Sequence, residues 1–265
     1  MRERALLPFL AITFAIAWGI LAGYLFLNAP MSRVFGPITG HHPLFYLAVY
    51  APAIAALLVV FHGEGPGGVR RLLSRLLLWR ASLGWYAFLF LGVPLVFYVA
   101  AMWQGWRFGD PPAFASLSAW LVAALLMAIK GPVEELGWRG VALPLLQRRF
   151  TPLSAAILLG LIWGLWHLPA FLLGGTPQGA WSFLPFLVGA VALSLIVTAM
   201  FNASRGSLLL PVLFHFQLIN PLWPDAQPLE NLLFLAVALG VVWRHRRSMF
   251  RREGAVTAVT PRARA

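Results

Sequence analysis

The apolar residues of this chain come in unbroken runs of about the 20 that an α-helix needs to cross the hydrocarbon of a bilayer. The first, at about 5–28 within "MRERALLPFLAITFAIAWGILAGYLFLN", holds no charge at all. A membrane strand would instead show alternating pieces of about ten residues. With lipid as solvent, each run must pair its own backbone N–H and C=O groups, which a helix does within itself. The expected fold class is therefore all-α, a polytopic transmembrane helical bundle. Composition agrees, with 11% charged residues and a mean hydropathy of +0.80, where a soluble domain carries roughly a quarter charged residues.

Candidate spans lie at about 5–28, 43–62, 83–104, 113–130, 152–173, 182–204, 207–221 and 229–243. Eight spans make the connecting segments alternate sides. With the N-terminus cytoplasmic, all of the 20 basic residues except Arg33 and Arg107 fall on the inside, the bias that sets orientation in inner membranes. Both termini are thus expected in the cytoplasm, in a multi-pass protein of the plasma (bacterial inner) membrane. The net charge of +12 is then topological, and no nucleic-acid partner is expected. The N-terminal run exceeds a signal-peptide core and lacks a cleavage site of the A-x-A kind, so it reads as a retained span. Residues 1–250 form one integral membrane domain, and 251–265 read as a disordered basic tail near anionic headgroups. The amphipathic stretch "GGVRRLLSRLLLWRA" (67–81) is expected in the cytoplasmic interface. Residues 131–150 are expected as a helix at the cytoplasmic rim, with Pro132 at a kink or first turn.

Away from rims and tail, the ionisable residues near membrane depth are Glu134, Glu135, Arg139, His167 and His215. Each is costly to bury, so each marks a functional site or partners one. The glutamates are adjacent in "KGPVEELGWRG", in a chain with only eight acidic residues, and on a helix they point about 100° apart. Glu135 and Arg139 stand four apart, glutamate first, the favourable order for an ion pair along one face. Glu134 is left without a partner in its own helix, free to take a proton or hold a water. The bland alternative is a wet salt-bridge cluster at the rim. In "GLIWGLWHLP", His167 follows Trp163 by one turn, and Gly160 and Gly164 form a G-x-x-x-G pair that admits a neighbouring backbone. In "LLLPVLFHFQLINPLWPD", His215, Gln217 and Asn220 sit on a short span ended by Pro221 and Pro224.

Together these stretches supply a carboxylate, two imidazoles and an amide on three helices, in a chain without cysteine. A carboxylate held partly dry titrates closer to neutrality and can take a proton from water. One imidazole can hold that water or shuttle the proton, while a second and an amide can donate to a developing oxyanion. This is equipment for hydrolysing an amide bond inside a membrane.

The same stretches resemble the CAAX protease and bacteriocin-processing (CPBP, or Abi) family of intramembrane proteases, whose signature is E-E-x-x-x-R, F-x-x-x-H and H-x-x-x-N or D on three membrane helices. "EELGWR" matches the first at Glu134, Glu135 and Arg139. "WGLWH" matches the second, with Trp163 in place of phenylalanine and His167 in register, and "HFQLIN" approximates the third at His215. The fourth position after that histidine is Ile219, and Asn220 comes one residue late. Three alternatives follow: the helix loosens before Pro221 so that Asn220 fills the position, Gln217 fills it, or the oxyanion site is weakened.

The resemblance covers about 131–220 and implies an endopeptidase in which Glu134 with His167 activates water, His215 with an amide holds the oxyanion, and Glu135 and Arg139 shape the site. The family is commonly labelled metalloprotease. Zinc usually takes three protein ligands, and Glu134, His167 and His215 are the set this chain offers, but a metal-free mechanism is preferred. The expected partners are a peptide or membrane-protein substrate and the lipid bilayer. CAAX processing proper requires a prenylated C-terminus, which a bacterial cell largely lacks, so leader peptides or membrane proteins are the expected substrates. Two other readings compete. The displaced asparagine suits a catalytically silent scaffold or self-immunity protein. A transporter would favour inverted repeats, and none is evident.

Overall fold

The computed structural model describes residues 3–107 and 116–261. Helix α1 (Leu6–Phe26) leads through the short α2 (Asn28–Phe35) to α3 (Pro43–Ser74), and α4 (Leu83–Ala87) and α5 (Val93–Trp103) follow as one rod. A second composite rod holds α6 (Leu117–Lys130), α7 (Glu135–Gly137) and α8 (Leu143–Gln147). Then come α9 (Pro152–Trp166), α10 (Leu168–Phe171), α11 (Phe183–Ala203), α12 (Leu209–Leu218), α13 (Leu229–Arg244) and α14 (Arg246–Met249). Among the described residues there is no strand. Five rods are long and apolar enough to cross a membrane, Leu6–Phe26, Pro43–Leu77, Leu83–Trp103, Leu117–Gln147 and Phe183–Ala203, while Pro152–Trp166 and Leu209–Leu218 are shorter. Large apolar side chains such as Leu83, Leu91, Leu125 and Leu184 point outward, as they do where the solvent is lipid.

Two apolar clusters hold the rods together. One gathers Phe9, Tyr24, Leu72, Trp138, Leu143 and Leu159, the other Leu89, Phe97, Ile196, Met200, Phe214 and Phe234. Helices α9 and α11 join them by close approach. A Cβ added at Gly160 would lie 2.6 Å from the Val191 Cα, and one at Gly164 would lie 2.5 Å from Leu187 Cδ1. The G-x-x-x-G pair therefore seats α9 directly on the α11 backbone. Gly137 does the same for α7, where a Cβ would stand 2.5 Å from the Pro52 carbonyl oxygen of α3.

Two expectations are corrected. Residues 131–147 are not a rim helix but a buried continuation of the fourth rod through the bundle. Their polar side chains lower the local hydropathy, yet they pair with one another inside. Residues 66–74 form a helix of their own beyond a break at Gly65 (φ 64°, ψ −166°) and Pro66, where the amphipathic stretch 67–81 begins. The tail, by contrast, is not loose over its described length. Val256 N donates to Asn202 Oδ1 (3.0 Å), Gln147 Nε2 donates to the Val256 carbonyl (2.9 Å), and Arg148 Nε donates to that of Thr257 (3.0 Å).

The fully buried Arg75, expected as a topological surface charge, receives this tail. Its guanidinium donates to the carbonyls of Val259 (2.9 Å) and Gly206 (2.8 Å) and lies over the Phe201 ring. A buried guanidinium needs several acceptors, and the tail's carbonyls supply what no local helix can.

Polar contacts tie the loops together at the opposite end of the bundle too. Gly40 N donates to the Gly175 carbonyl (3.1 Å), Trp181 Nε1 to Asp225 Oδ2 (3.2 Å), and Gln104 Nε2 to the Ala226 carbonyl (3.0 Å). The loops around 36–42, 173–182 and 219–228 thus form one rim, far from the arginine-rich end.

Candidate active site

The fourth rod changes pitch where the glutamates stand. After Lys130 it tightens to a 3-10 turn at Pro132–Glu134, regains α geometry at Glu135–Gly137, widens to a π turn at Trp138–Ala142 and is α again from Leu143. Pro132 lacks the N–H of a regular ladder, and π turns inside helices recur at functional sites because they re-aim side chains.

Helix α9 ends on its histidine for a related reason. Pro169 cannot continue the ladder, and His167 N donates to the Gly164 carbonyl (3.1 Å) in a 3-10 turn. The Trp163 carbonyl accepts the His167 Nδ1–H instead, at 2.9 Å. The neutral ring thereby keeps its lone pair on Nε2. Helix α12 likewise stops at Leu218, with Ile219 outside helical geometry (φ −115°, ψ 14°).

Glu134, His167, His215 and Asn220 line one cavity of about 300 Å³, together with Lys130 and Gly131 and with Pro177, Trp181 and Asp225 of the rim. Glu135 and Arg139 lie behind it. The Arg139 Nη1 donates to Glu135 Oε1 at 3.0 Å, the four-residue pairing expected, and His215 Nδ1 donates to the same oxygen at 2.8 Å. Glu135 thus holds a cation on its own helix and orients an imidazole from α12.

The sequence reading misses the donor roles of two tryptophans, Trp138 and Trp163. Glu134 is not alone, for its Oε2 accepts from the indole N–H groups of Trp163 (2.9 Å) and Trp138 (3.3 Å). No described residue donates to Oε1. Trp138 stands four after Glu134, the same spacing as Glu135 and Arg139, so the signal for an indole donor is present in the sequence. Trp163 gives more than its phenylalanine counterpart could. Its N–H fixes Glu134, its carbonyl fixes His167, and its ring packs on those of His167 (5.6 Å) and His215 (5.8 Å) and under the Arg139 guanidinium (5.0 Å).

The late asparagine is accommodated by the early end of α12. Asn220 lines the cavity, its Nδ2 donating to Gln217 Oε1 (3.0 Å) and its Oδ1 accepting from Leu222 N (3.1 Å). Of the three alternatives, the geometry matches the loosened helix. Gln217 is buried outside the cavity lining and orients Asn220, which keeps one amide N–H for a ligand.

The cofactor the sequence admits is zinc, through Glu134, His167 and His215. Among the described residues, no three His, Asp or Glu side chains are grouped closely enough to hold one ion, and no step below is routed through a metal. The Nδ1 atoms of His215 and His167 donate to the Glu135 carboxylate and the Trp163 carbonyl, which leaves Nε2 of each ring as the nitrogen that can meet a ligand.

Gly131 sets the place of His215. A Cβ there would lie 2.9 Å from His215 Nε2 and 2.7 Å from Ile219 Cδ1. The isoleucine tip can turn away, but the imidazole is held by Glu135. We expect Gly131→Ala to push the ring off its position and to lower kcat at least about tenfold, since ångström misplacements reduce rates strongly. Thermal unfolding checks that the variant is folded, and wild-type kcat would count against this role for Gly131.

Comparison with known proteins places part of this chain. The family model "Type II CAAX prenyl endopeptidase Rce1-like" matches residues 115–218. The CAAX prenyl protease 2 of Methanococcus maripaludis is 30% identical over 141 residues, covering 49% of this chain and 52% of that protein. The chain thus spans about half the length of the curated relative it matches.

Proposed function

We propose that this chain, which over residues 115–218 matches the model of the Rce1-like type II CAAX prenyl endopeptidases, is an intramembrane endopeptidase whose general base is Glu134. The observation that carries this reading is the convergence of Glu134, His167, His215 and Asn220 on one cavity inside the bundle. A water there lies between Glu134 and the His167 Nε2 lone pair. Glu134 takes one of its protons as the oxygen attacks the scissile carbonyl carbon. The oxyanion accepts from the free amide N–H of Asn220 and from His215 Nε2–H. His215 then carries both ring protons, with the Glu135 carboxylate as its counter-ion. The C–N bond breaks as Glu134 returns its proton to the leaving amine, giving a carboxylic acid and an amine, and the acid's proton passes to the amine to leave carboxylate and ammonium. The indoles of Trp138 and Trp163 hold Glu134 throughout.

The test is hydrolysis of a library of membrane-anchored peptides by purified protein in nanodiscs, before and after dialysis against a strong chelator. Cleavage that survives dialysis is expected. Cleavage lost on dialysis and restored by zinc would overturn the metal-free mechanism, and no cleavage by intact protein would favour the silent scaffold.

Orientation bears on the substrate. The rim around Pro177, Trp181 and Asp225 is at the end opposite Arg4, Arg70, Arg148, Arg244 and Arg247. If the basic end is cytoplasmic, the cavity opens on the extracytoplasmic side and takes peptide segments exposed there. The chain has no cysteine, so single replacements report cleanly. In intact cells, Gln178→Cys should react with an impermeant maleimide while Arg149→Cys stays silent until lysis. The reverse pattern would invert this orientation.

A further inference from the structure

We propose that Lys130 is an anion-binding subsite in the catalytic cavity, taking a carboxylate of the substrate, whether its C-terminus or an acidic side chain; the proposal rests on the protease reading above. Lys130 ends α6 one turn before Glu134, on the rim side of it, and is only 9% exposed. Counted by sequence among the cytoplasmic-rim charges, it instead lines the cavity together with Glu134, His167 and His215.

Its contacts within the protein leave its charge unmatched. Nζ donates to the Gly40 carbonyl (2.7 Å) and stands over the rings of Phe45 (4.9 Å) and Tyr46 (5.4 Å). Among the described residues no carboxylate forms an ion pair with it. Glu134 is near enough to be felt electrostatically, but the oxygen it commits within the protein goes to the two indoles. The cavity's other acids are engaged in their own loop. Asp225 accepts from Trp181 Nε1 and Gln227 N, and Glu230 accepts from Ala226 N and Gln227 Nε2.

An ammonium has three N–H donors, and one is given to Gly40. A buried cation is costly unless paired, and here the position that would pair it is open cavity. The approach is also kept clear, since a Cβ on Gly40 would lie 3.7 Å from Nζ and 3.0 Å from Pro177 Cδ. A carboxylate entering from the rim meets Lys130 before its peptide reaches Glu134. The subsite therefore holds the substrate in register and discriminates charged from neutral ends.

Matched peptides test this, with a free-acid C-terminus, a C-terminal amide, or an amide plus an internal glutamate. For wild type, KM should be about tenfold or more lower for whichever carboxylate-bearing peptide is the natural type than for the neutral amide, the scale of one charge-assisted hydrogen bond. The free-acid and internal-glutamate arms tell the two sources apart. Lys130→Met should erase the difference, and Lys130→Arg should retain most of it. Equal KM for all peptides in wild type, or a Lys130→Met effect confined to kcat and alike for every peptide, would overturn the subsite. Binding of the same peptides to the Glu134→Gln protein, read by tryptophan fluorescence, reports Lys130 without hydrolysis. Failure of wild type to cleave anything sinks the protease reading, and failure of Glu134→Gln to prefer a carboxylate sinks the subsite.

Discussion

Replacing Glu134 with glutamine should lower kcat for peptide hydrolysis by roughly 10²- to 10⁴-fold, the range lost when a general base is removed, while leaving the protein folded. The glutamine amide has nearly the same shape, and its oxygen can accept from the same two indoles that donate to Glu134 Oε2. What it cannot do is take a proton from water. KM should change little, because the loss falls on the transition state. The check is steady-state kinetics beside a thermal unfolding curve, and a Glu134→Gln protein with wild-type kcat would remove the base from the mechanism.

The second large effect is on stability. Glu135→Ala leaves the fully buried Arg139 and the imidazole of His215 without the carboxylate that both contact. Removing one partner of a buried ion pair typically costs about 3–5 kcal/mol, a large fraction of the roughly 5–15 kcal/mol that holds a domain folded. Glu135→Ala should therefore give a poor yield and a much lower Tm. Glu135→Gln keeps an accepting oxygen and should be milder. A double replacement, Glu135→Leu with Arg139→Met, should recover much of the lost stability, because it leaves no unpaired charge at that position, yet remain inactive because His215 loses its anchor. An alanine variant as stable as wild type would show that the Arg139 charge is compensated by other means.

Much of the fold was legible because hydropathy is a residue-by-residue property in lipid. Among the described residues each of the eight apolar runs holds helix, five of them in rods long enough to cross a membrane, residues 113–115 of the fourth run lie outside that description, and the small residues at Gly160 and Gly164 marked a close helix pair. The rest depended on partners distant in sequence. Residues 131–147 read as a rim because Glu134, Glu135 and Arg139 lower the hydropathy there, whereas in the fold Glu135 and Arg139 pair with each other, and Trp163 of α9 and His215 of α12 add hydrogen bonds to the two glutamates. The tail has no periodic pattern, and only the buried Arg75 and Gln147 explain why its carbonyls dock. Helical spacing made Asn220 look misplaced, but α12 ends two residues earlier and spacing no longer applies. Lys130 reads as a membrane-rim charge because it closes an apolar run, a position that in this bundle lines the cavity that Glu134 also lines. The pairing of Glu135 with Arg139, by contrast, was read correctly from four-residue spacing alone, since both partners lie on one rod.

The most direct measurement is a single turnover in ¹⁸O-labelled water, followed by mass spectrometry of both product and protein. If Glu134 activates water for direct attack, the new C-terminal carboxylate carries the label and the Glu134 peptide carries none. Label recovered in the Glu134 carboxylate would contradict this account, for it would mean that the glutamate attacks the substrate itself.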